Sequence, residues 1–210
     1  MRVALILLSV LLISASAHGE ADEAAPASRE TANASVGANY SPLSPGKKFY
    51  FSVKSTFSPV SIFASTFSAG YNQAVDSVPE WGQGMEGYGK RFASSFGQKV
   101  VDNTVGSSLK ILLREDPRYF YSNRRNIRNR ILHALGETFV AHKDSGGTRP
   151  GYSYFAGVAS GVYVSHQWRP ESSRTAADYA QSVAVSIGEQ SAKNVFMEFW
   201  PDIKKKLLKR

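Results

Sequence analysis

The sequence contains no cysteine among its 210 residues, which excludes a disulfide framework and thiol catalysis. It also contains neither a G-x-S-x-G motif nor an H-E-x-x-H motif, so no serine-hydrolase elbow or zinc-protease helix is predicted. A chain of this length can still bury a core without cross-links. We therefore expect a globular protein that needs neither a metal nor an organic cofactor.

Long apolar runs are also missing, and the one over 3–13 is interrupted by Ser9. Arg2 precedes this run, and Ala15-Ser16-Ala17 has the small-x-small form that signal peptidase cleaves. The run of about 11 residues is shorter than the roughly 20 that a membrane-spanning helix needs. The pattern predicts a signal peptide at 1–17, and hence export to the periplasm or to the outer membrane.

Large apolar side chains are scarce again over 18–45, a segment rich in Ala, Ser, Asn, Glu and Pro. Such a composition buries too little surface to offset the entropy of ordering, and it predicts a disordered leader. The remainder, 46–210, is predicted to form a single helical domain with a basic C-terminal tail.

Acidic residues are fewer than basic ones, 17 against 25, and the formal net charge is +8. A basic surface attracts anionic partners over a screening length of about 10 Å at ordinary salt. For an exported chain, the expected partner is an anionic membrane surface or a cell-envelope polymer rather than nucleic acid.

Small residues recur at every fourth position, and this spacing is the strongest signal for the fold. Positions i and i+4 share one face of a helix, where small side chains let a second backbone approach closely. The spacing predicts an all-α, compact helical bundle. Residues expected to pack helices together in this way are Gly89, Ala93, Gly97, Gly157, Gly161, Ala180, Ala184 and Gly188.

Serine–proline pairs and proline breakers set the expected helix boundaries. Ser before Pro supplies an N-cap and a residue suited to the first helical position, which predicts helices over 46–57 and 59–76. Further helices are expected over 88–113 and from 172 or 173 to Trp200, a helical segment over 123–141, and a loop over 144–151. The alternative is an outer-membrane β-barrel in which 152–168 forms a strand.

Arginine and tyrosine side chains cluster between positions 114 and 130. Guanidinium groups bind phosphates in a bidentate manner, and tyrosine favours the membrane–water interface. With the lysines near the C-terminus, they form two basic regions suited to anionic lipid headgroups. The candidate anion-binding residues are Arg114, Arg118, Arg124, Arg125, Arg128, Arg130, Lys204, Lys205 and Lys206.

Other chemical motifs are weak. Gly82 to Gly87 spells G-x-G-x-x-G, but a turn with Pro79 precedes it instead of a strand, so a close-packed turn is expected rather than a phosphate loop. The four histidines lack the spacing of a zinc site. Carboxylates that could be paired for hydrolysis are Glu115, Asp116, Glu137 and Asp144, and no pattern singles out two of them.

Three short motifs, GYGKRF (87–92), DPRYF (116–120) and EFWPD (198–202), give the chain a resemblance to an uncharacterised family of exported bacterial proteins. The resemblance implies an exported, membrane-associated protein without an assigned activity, and it supplies no catalytic residues.

The leading hypothesis is therefore an exported, non-enzymatic helical protein of the bacterial envelope, associated with membrane through basic and aromatic patches. Two alternatives stay open. One is an exported hydrolase that acts on envelope polymers, and the other is a homo-oligomeric helical pore or scaffold.

Overall fold

The computed structural model describes residues 40–122 and 124–208, and within them the fold is helical. The predicted signal peptide and the predicted leader up to residue 39 lie outside this range. The helices are α1 (Pro45–Thr56), α2 (Pro59–Ala74), α3 (Gly84–Leu112), α4 (Ile127–Gly136), α5 (Tyr152–Gln167) and α6 (Ala176–Leu208). The strands are β1 (Glu115–Asp116), β2 (Val140–Lys143) and β3 (Thr148–Pro150). The all-α prediction is confirmed.

The described chain divides into two compact units. The helical unit consists of Pro45–Leu112 and Tyr152–Ser186. The mixed unit consists of 40–44, Leu113–Gly151 and 187–208. Residues of α6 up to Ser186 belong to the helical unit, and those from Ile187 belong to the mixed unit.

Local signals fix the helix ends in the helical unit. The Ser58 hydroxyl accepts a hydrogen bond from the Ser61 backbone at 3.2 Å, and Pro59 follows at the first helical position, so α2 begins where the sequence predicts. Helix α6 begins later than predicted. Thr175 and Asp178 form a reciprocal capping box, each side chain bonding the other's backbone N–H, so the helix begins at Ala176 rather than at the serines before it.

Helices α3 and α5 pack through backbone. A Cβ atom placed on Gly157 would lie 2.6 Å from the carbonyl oxygen of Asp102 and 3.2 Å from the Cα atom of Gly106. A Cβ on Gly161 would overlap the Asp102 side chain and lie 2.8 Å from the carbonyl oxygen of Gln98. Side chains at these two glycines would therefore force the helices apart. Ser153, Gly157, Gly161 and Ser165 are all buried, so the stripe predicted along α5 faces α3.

The other predicted packing residues behave differently. Gly89, Ala93, Ala180 and Ala184 are exposed, and a Cβ on Gly89 or on Gly188 would meet no atom within 4 Å. Among residues 40–122 and 124–208, no atom lies close enough to Gly89 or Gly188 for the predicted backbone contact, and the exposed Ala93, Ala180 and Ala184 do not make one. Gly97 is half-buried, and a Cβ there would meet the Trp168 ring at an ordinary distance of 3.5 Å.

Helix α3 begins at Gly84, four residues before the predicted start, and Arg91 explains why. Its buried guanidinium donates to the carbonyl oxygens of Gly82 at 2.7 Å and of Val78 at 2.9 Å. The backbone at Gly82 and Gly84 has φ values of +69° and +86°, which glycine adopts without strain. The first two residues of the glycine motif thus lie in a turn held by Arg91, and Gly84 to Gly87 form the first turn of α3.

His166 is fully buried at the end of α5. Its Nδ1 atom lies 2.8 Å from the Val162 carbonyl oxygen, so Nδ1 is the donor and Nε2 is left to accept from Arg169 at 3.4 Å. Its ring stacks on Tyr179 at 4.1 Å. Burial, with further contributions from Arg169 and Arg174, lowers the pKa of His166, although the Val162 carbonyl and Asp178 oppose the shift.

The mixed unit contains an antiparallel sheet in the order β1-β2-β3, with Asp116 opposite His142 and His142 opposite Thr148. Two expectations are corrected here. The helical segment ends at Gly136 rather than at 141, and part of the expected 144–151 loop is strand β3. Gly146 and Gly147, with φ values of +89° and +77°, make the turn that returns the chain.

Helix α6 continues past Pro201 to Leu208, although the sequence predicts an end near Trp200. A proline inside a helix removes one backbone hydrogen bond. An ion pair of 2.7 Å between Arg130 and Asp202 fixes the residue directly after Pro201, which explains how the helix is held beyond it. Segment 152–168, for which a strand is the alternative, forms helix α5.

Candidate membrane-binding surface

Helix α4 carries most of its large apolar side chains on the outside. Asn126 caps the helix by accepting from the Arg128 backbone N–H at 2.9 Å. Arg130 and Ala134, four residues apart on one face, are its buried residues. Ile127 is 65% exposed, Leu132 55%, and Phe139, just after the helix, 50%. A helix of ten residues thus buries one narrow stripe and leaves its large apolar side chains exposed.

Three exposed arginines adjoin this apolar face, two before the helix and one in its first turn. The N-terminus of a helix is the positive end of its dipole and disfavours nearby cations, so the α4 dipole does not stabilise these three arginines. We call the combined feature the α4 surface. It consists of Ile127, Ile131, Leu132, Leu135 and Phe139 together with Arg124, Arg125 and Arg128.

Arg130, predicted to bind anions, is instead a buried structural residue. Its Nε atom lies 2.8 Å from Glu198, and its guanidinium also donates to the Glu198 carbonyl oxygen at 2.6 Å. Glu198 is fully buried and accepts from Tyr119 at 3.1 Å and from the Ser122 backbone at 3.0 Å. With Asp202 as a second acidic partner, the charge of Arg130 is neutralised inside the unit, and the prediction is wrong for this residue.

Arg118 is likewise engaged, although its side chain is 41% exposed. It forms a bidentate ion pair with Asp116 and donates to the Ser41 carbonyl oxygen at 3.1 Å. Tyr40 donates to the same carboxylate at 2.6 Å. Burial alone would raise the pKa of Asp116, but the hydrogen bonds from Arg118 and Tyr40 outweigh it and hold that pKa below its usual value. The last residues of the predicted leader thus make specific contacts.

The remaining basic candidates lie at the surface of the mixed unit. Arg114 is exposed just before β1, and Lys205 and Lys206 are exposed in the last turn of α6, whereas Lys204 is half-buried. The predicted basic tail is therefore helical up to Leu208. Cations in the last turn interact favourably with the negative end of the helix dipole.

Three of the four carboxylates considered for hydrolysis are each bonded to a basic side chain. Glu115 is fully buried with Arg149 at 3.0 Å, and its neighbour Asp116 pairs with Arg118. Adjacent residues of a strand point to opposite faces, so these two carboxylates do not converge. Glu137 lies 2.8 Å from His142 and 3.9 Å from His133. Within the described ranges, no three acidic or histidine side chains are arranged to hold a metal ion.

Sequence reasoning missed one feature of the helical unit, namely the outward aromatic stripe of α1. Phe49, Val53 and Phe57 are spaced by four residues and are all exposed, whereas Lys48 and Thr56 are buried. The spacing was visible in the sequence. It was missed because an apolar stripe is normally assigned to the core.

Over residues 40–122 and 124–208, no helix combines the length and the apolar character needed to cross a membrane. The chain matches no protein-family model, no curated protein and no solved structure. The resemblance to an exported bacterial family therefore stays a prediction.

Proposed function

We propose that this chain is an exported, non-enzymatic protein of the bacterial envelope that binds the surface of anionic membranes through the α4 surface. The observation that supports this most directly is the exposure of five large apolar side chains next to three exposed arginines, on one short helix and the residues that flank it. Amphipathic helices of this composition lie in the membrane interface, with apolar side chains below the headgroups and cations among the phosphates.

Charge contributes a definite share of the expected affinity. Each Lys or Arg close to an anionic bilayer contributes about 1 kcal/mol, so three arginines contribute about 3 kcal/mol. A loss of that size weakens partitioning roughly a hundredfold. The apolar side chains add a contribution that salt does not screen, because it comes from removing apolar surface from water.

The test is flotation of the mature chain with vesicles that contain phosphatidylglycerol, compared with vesicles of phosphatidylcholine alone. The triple variant Arg124→Gln, Arg125→Gln, Arg128→Gln is expected to lose roughly a hundredfold in partitioning to the anionic vesicles. A matched control, Arg114→Gln, Lys205→Gln, Lys206→Gln, removes the same charge elsewhere in the mixed unit and is expected to lose clearly less. Equal losses would mean that net charge, rather than the α4 surface, drives binding. Absence of flotation by the unaltered chain would refute the proposal.

Export is tested separately by N-terminal sequencing of the protein recovered from a periplasmic or membrane fraction. We expect the mature chain to begin at His18, directly after Ala17. A cytoplasmic protein that retains Met1 would contradict the export part of the proposal.

A further inference from the structure

Helix α1 is packed with its polar side inward. Lys48, Ser52 and Thr56 follow one another at intervals of four residues, and Lys48 and Thr56 are almost fully buried. The Ser52 hydroxyl donates to the backbone carbonyl of Asn103 on α3 at 3.3 Å. The Asn103 side-chain amide in turn donates to the Thr56 hydroxyl at 2.8 Å. Hydrogen bonds therefore hold α1 against α3.

The opposite side of α1 is aromatic and faces outward. Phe49 and Phe57, the latter one residue beyond the helix, are each 58% exposed, and Val53 lies between them on the same stripe. The Phe57 ring also packs edge-on against Phe96 of α3, with the ring centroids 5.8 Å apart. Tyr50 and Phe51 widen this exposed face. In water, burying large apolar side chains is the main stabilising contribution to folding. This helix instead buries polar side chains and leaves its large apolar ones exposed.

Helix α2 has the same inversion. Ser61, Ser65 and Ala69 form its buried stripe, while Ile62 and Phe63 are exposed. Helices that pack in an apolar environment place small residues inward and large apolar residues outward. In that environment close backbone contact, rather than the hydrophobic effect, stabilises the packing.

Charge on the α1–α2 segment is of one sign. Residues 45–75 contain no Asp or Glu, and their exposed cations are Lys47 and Lys54, both on α1. Long lysine side chains can place their ammonium groups at headgroup level while the helix body lies deeper. Helix α1 has 12 residues and α2 has 16, lengths of about 18 and 24 Å at 1.5 Å per residue.

We propose that the α1–α2 segment, residues 45–75, inserts the aromatic face of α1 into the acyl-chain boundary of one membrane leaflet. The proposal rests on the proposed function, because it requires the protein to reach a membrane. The insertion proposal adds a second contact surface, which belongs to a different unit from the α4 surface. This second surface contacts the apolar part of the bilayer. Lys47 and Lys54 then meet lipid phosphates.

A second copy of the chain is a less favourable occupant. An isologous contact places the same patch of both copies face to face. It would bring the exposed Lys54 of one copy near that of the other, and residues 45–75 supply no acid to pair with it. An anionic lipid surface neutralises the same charges.

The cysteine-free sequence permits a direct test with single environment-sensitive labels. The variants are Phe57→Cys, between α1 and α2, and Ala159→Cys, an exposed control on α5. Each is labelled with a nitrobenzoxadiazole fluorophore and compared with the unaltered chain by circular dichroism. On anionic vesicles the label at position 57 is expected to brighten several-fold, shift to the blue, and be quenched by lipids that carry bromine in their acyl chains. The label at position 159 is expected to keep its aqueous spectrum.

A second variant removes the aromatic contact without a label. Phe49→Gln is expected to reduce several-fold the fraction that floats at high salt, whereas Tyr163→Gln, a change at an equally exposed aromatic residue of α5, leaves it unchanged.

The outcomes separate the two proposals. A chain that floats while the label at position 57 keeps its aqueous spectrum overturns the insertion proposal alone. A chain that does not float at all overturns both. A label at position 57 that brightens with protein concentration in the absence of vesicles identifies a second copy as the occupant and also overturns insertion.

Discussion

The close backbone contact between α3 and α5 at Gly157 predicts a graded series of stabilities. Replacing Gly157 by alanine places a Cβ atom 2.6 Å from the Asp102 carbonyl oxygen, whereas ordinary van der Waals contact begins at 3.4 Å. The helices must separate by about 0.8 Å there, because the obstructing atoms belong to backbone and cannot rotate away. Overpacking of this kind typically costs roughly 1–3 kcal/mol.

Gly89 provides the matched control, since it lies in α3 and a Cβ there would meet nothing within 4 Å. Both changes gain the same advantage of alanine over glycine inside a helix, about 1 kcal/mol, so the difference between the two variants isolates the packing cost. Gly106→Ala should fall between them, because its Cβ would lie 3.3 Å from the Ser153 carbonyl oxygen.

The measurement is urea unfolding followed by circular dichroism. We expect Gly157→Ala to be less stable than Gly89→Ala by about 1–3 kcal/mol. If the two variants unfold at the same urea concentration, close backbone contact between α3 and α5 does not stabilise the protein, and the reasoning fails.

Two further predictions concern buried charge. Arg130→Met should destabilise the mixed unit by about 3–5 kcal/mol, because it leaves the Glu198 carboxylate buried without its main partner. Arg128→Met, on the exposed side of the same helix, should cost less than about 0.5 kcal/mol. Urea unfolding checks both values, and equal values would contradict the structural role assigned to Arg130. Since burial lowers the pKa of His166, the unfolded chain takes up a proton first as the pH falls below about 6.5, so the free energy of unfolding should decrease from that pH downward until the folded histidine also titrates. His166→Gln should flatten the profile between pH 7.5 and 5.5, and an unchanged slope would contradict the linkage.

The sequence predicts well those elements whose ends depend on neighbouring residues. Helices α1 and α2 begin and end within two residues of the expected positions, because Ser58 and Pro59 act locally. The start of α3 was misplaced, since the bonds from Arg91 to Gly82 and Val78 join residues that no local rule connects. Helix propensity therefore predicts that α3 exists, whereas the contacts of the Arg91 side chain determine where α3 begins.

The small sheet could not be predicted in this way. Strand β1 is formed by Glu115 and Asp116, which have low strand propensity, and β3 includes Pro150. Pairing with β2 determines their conformation, and that pairing depends on the turn at Gly146 and Gly147. The Gly146-Gly147 pair was the one feature of the sequence that could have indicated a turn between the two paired strands.

The candidate site was predicted in part. The arginine cluster between 114 and 130 has one composition but two roles, and the sequence does not distinguish them. Arg130 is buried against Glu198, which lies 68 positions away in the sequence. Arg128 lies on another side of the same helix and is exposed. Helical spacing separates the two residues only once the buried face is known.

The same inversion occurs in each unit and indicates how this fold tolerates apolar side chains on its surface. Fully buried large side chains include Arg91 and His166 in the helical unit and Glu115 and Glu198 in the mixed unit. Their hydrogen bonds and ion pairs do not weaken when water is replaced by a less polar medium, because electrostatic interactions strengthen as the dielectric constant falls. The glycine contacts of α5 are van der Waals contacts between backbones, which also stabilise helices packed in an apolar medium. A fold stabilised in this way does not depend on hiding Phe49 or Leu132 from its surroundings. It can therefore bring such residues to a membrane without first unfolding, and this property is the one that the two proposed contact surfaces require.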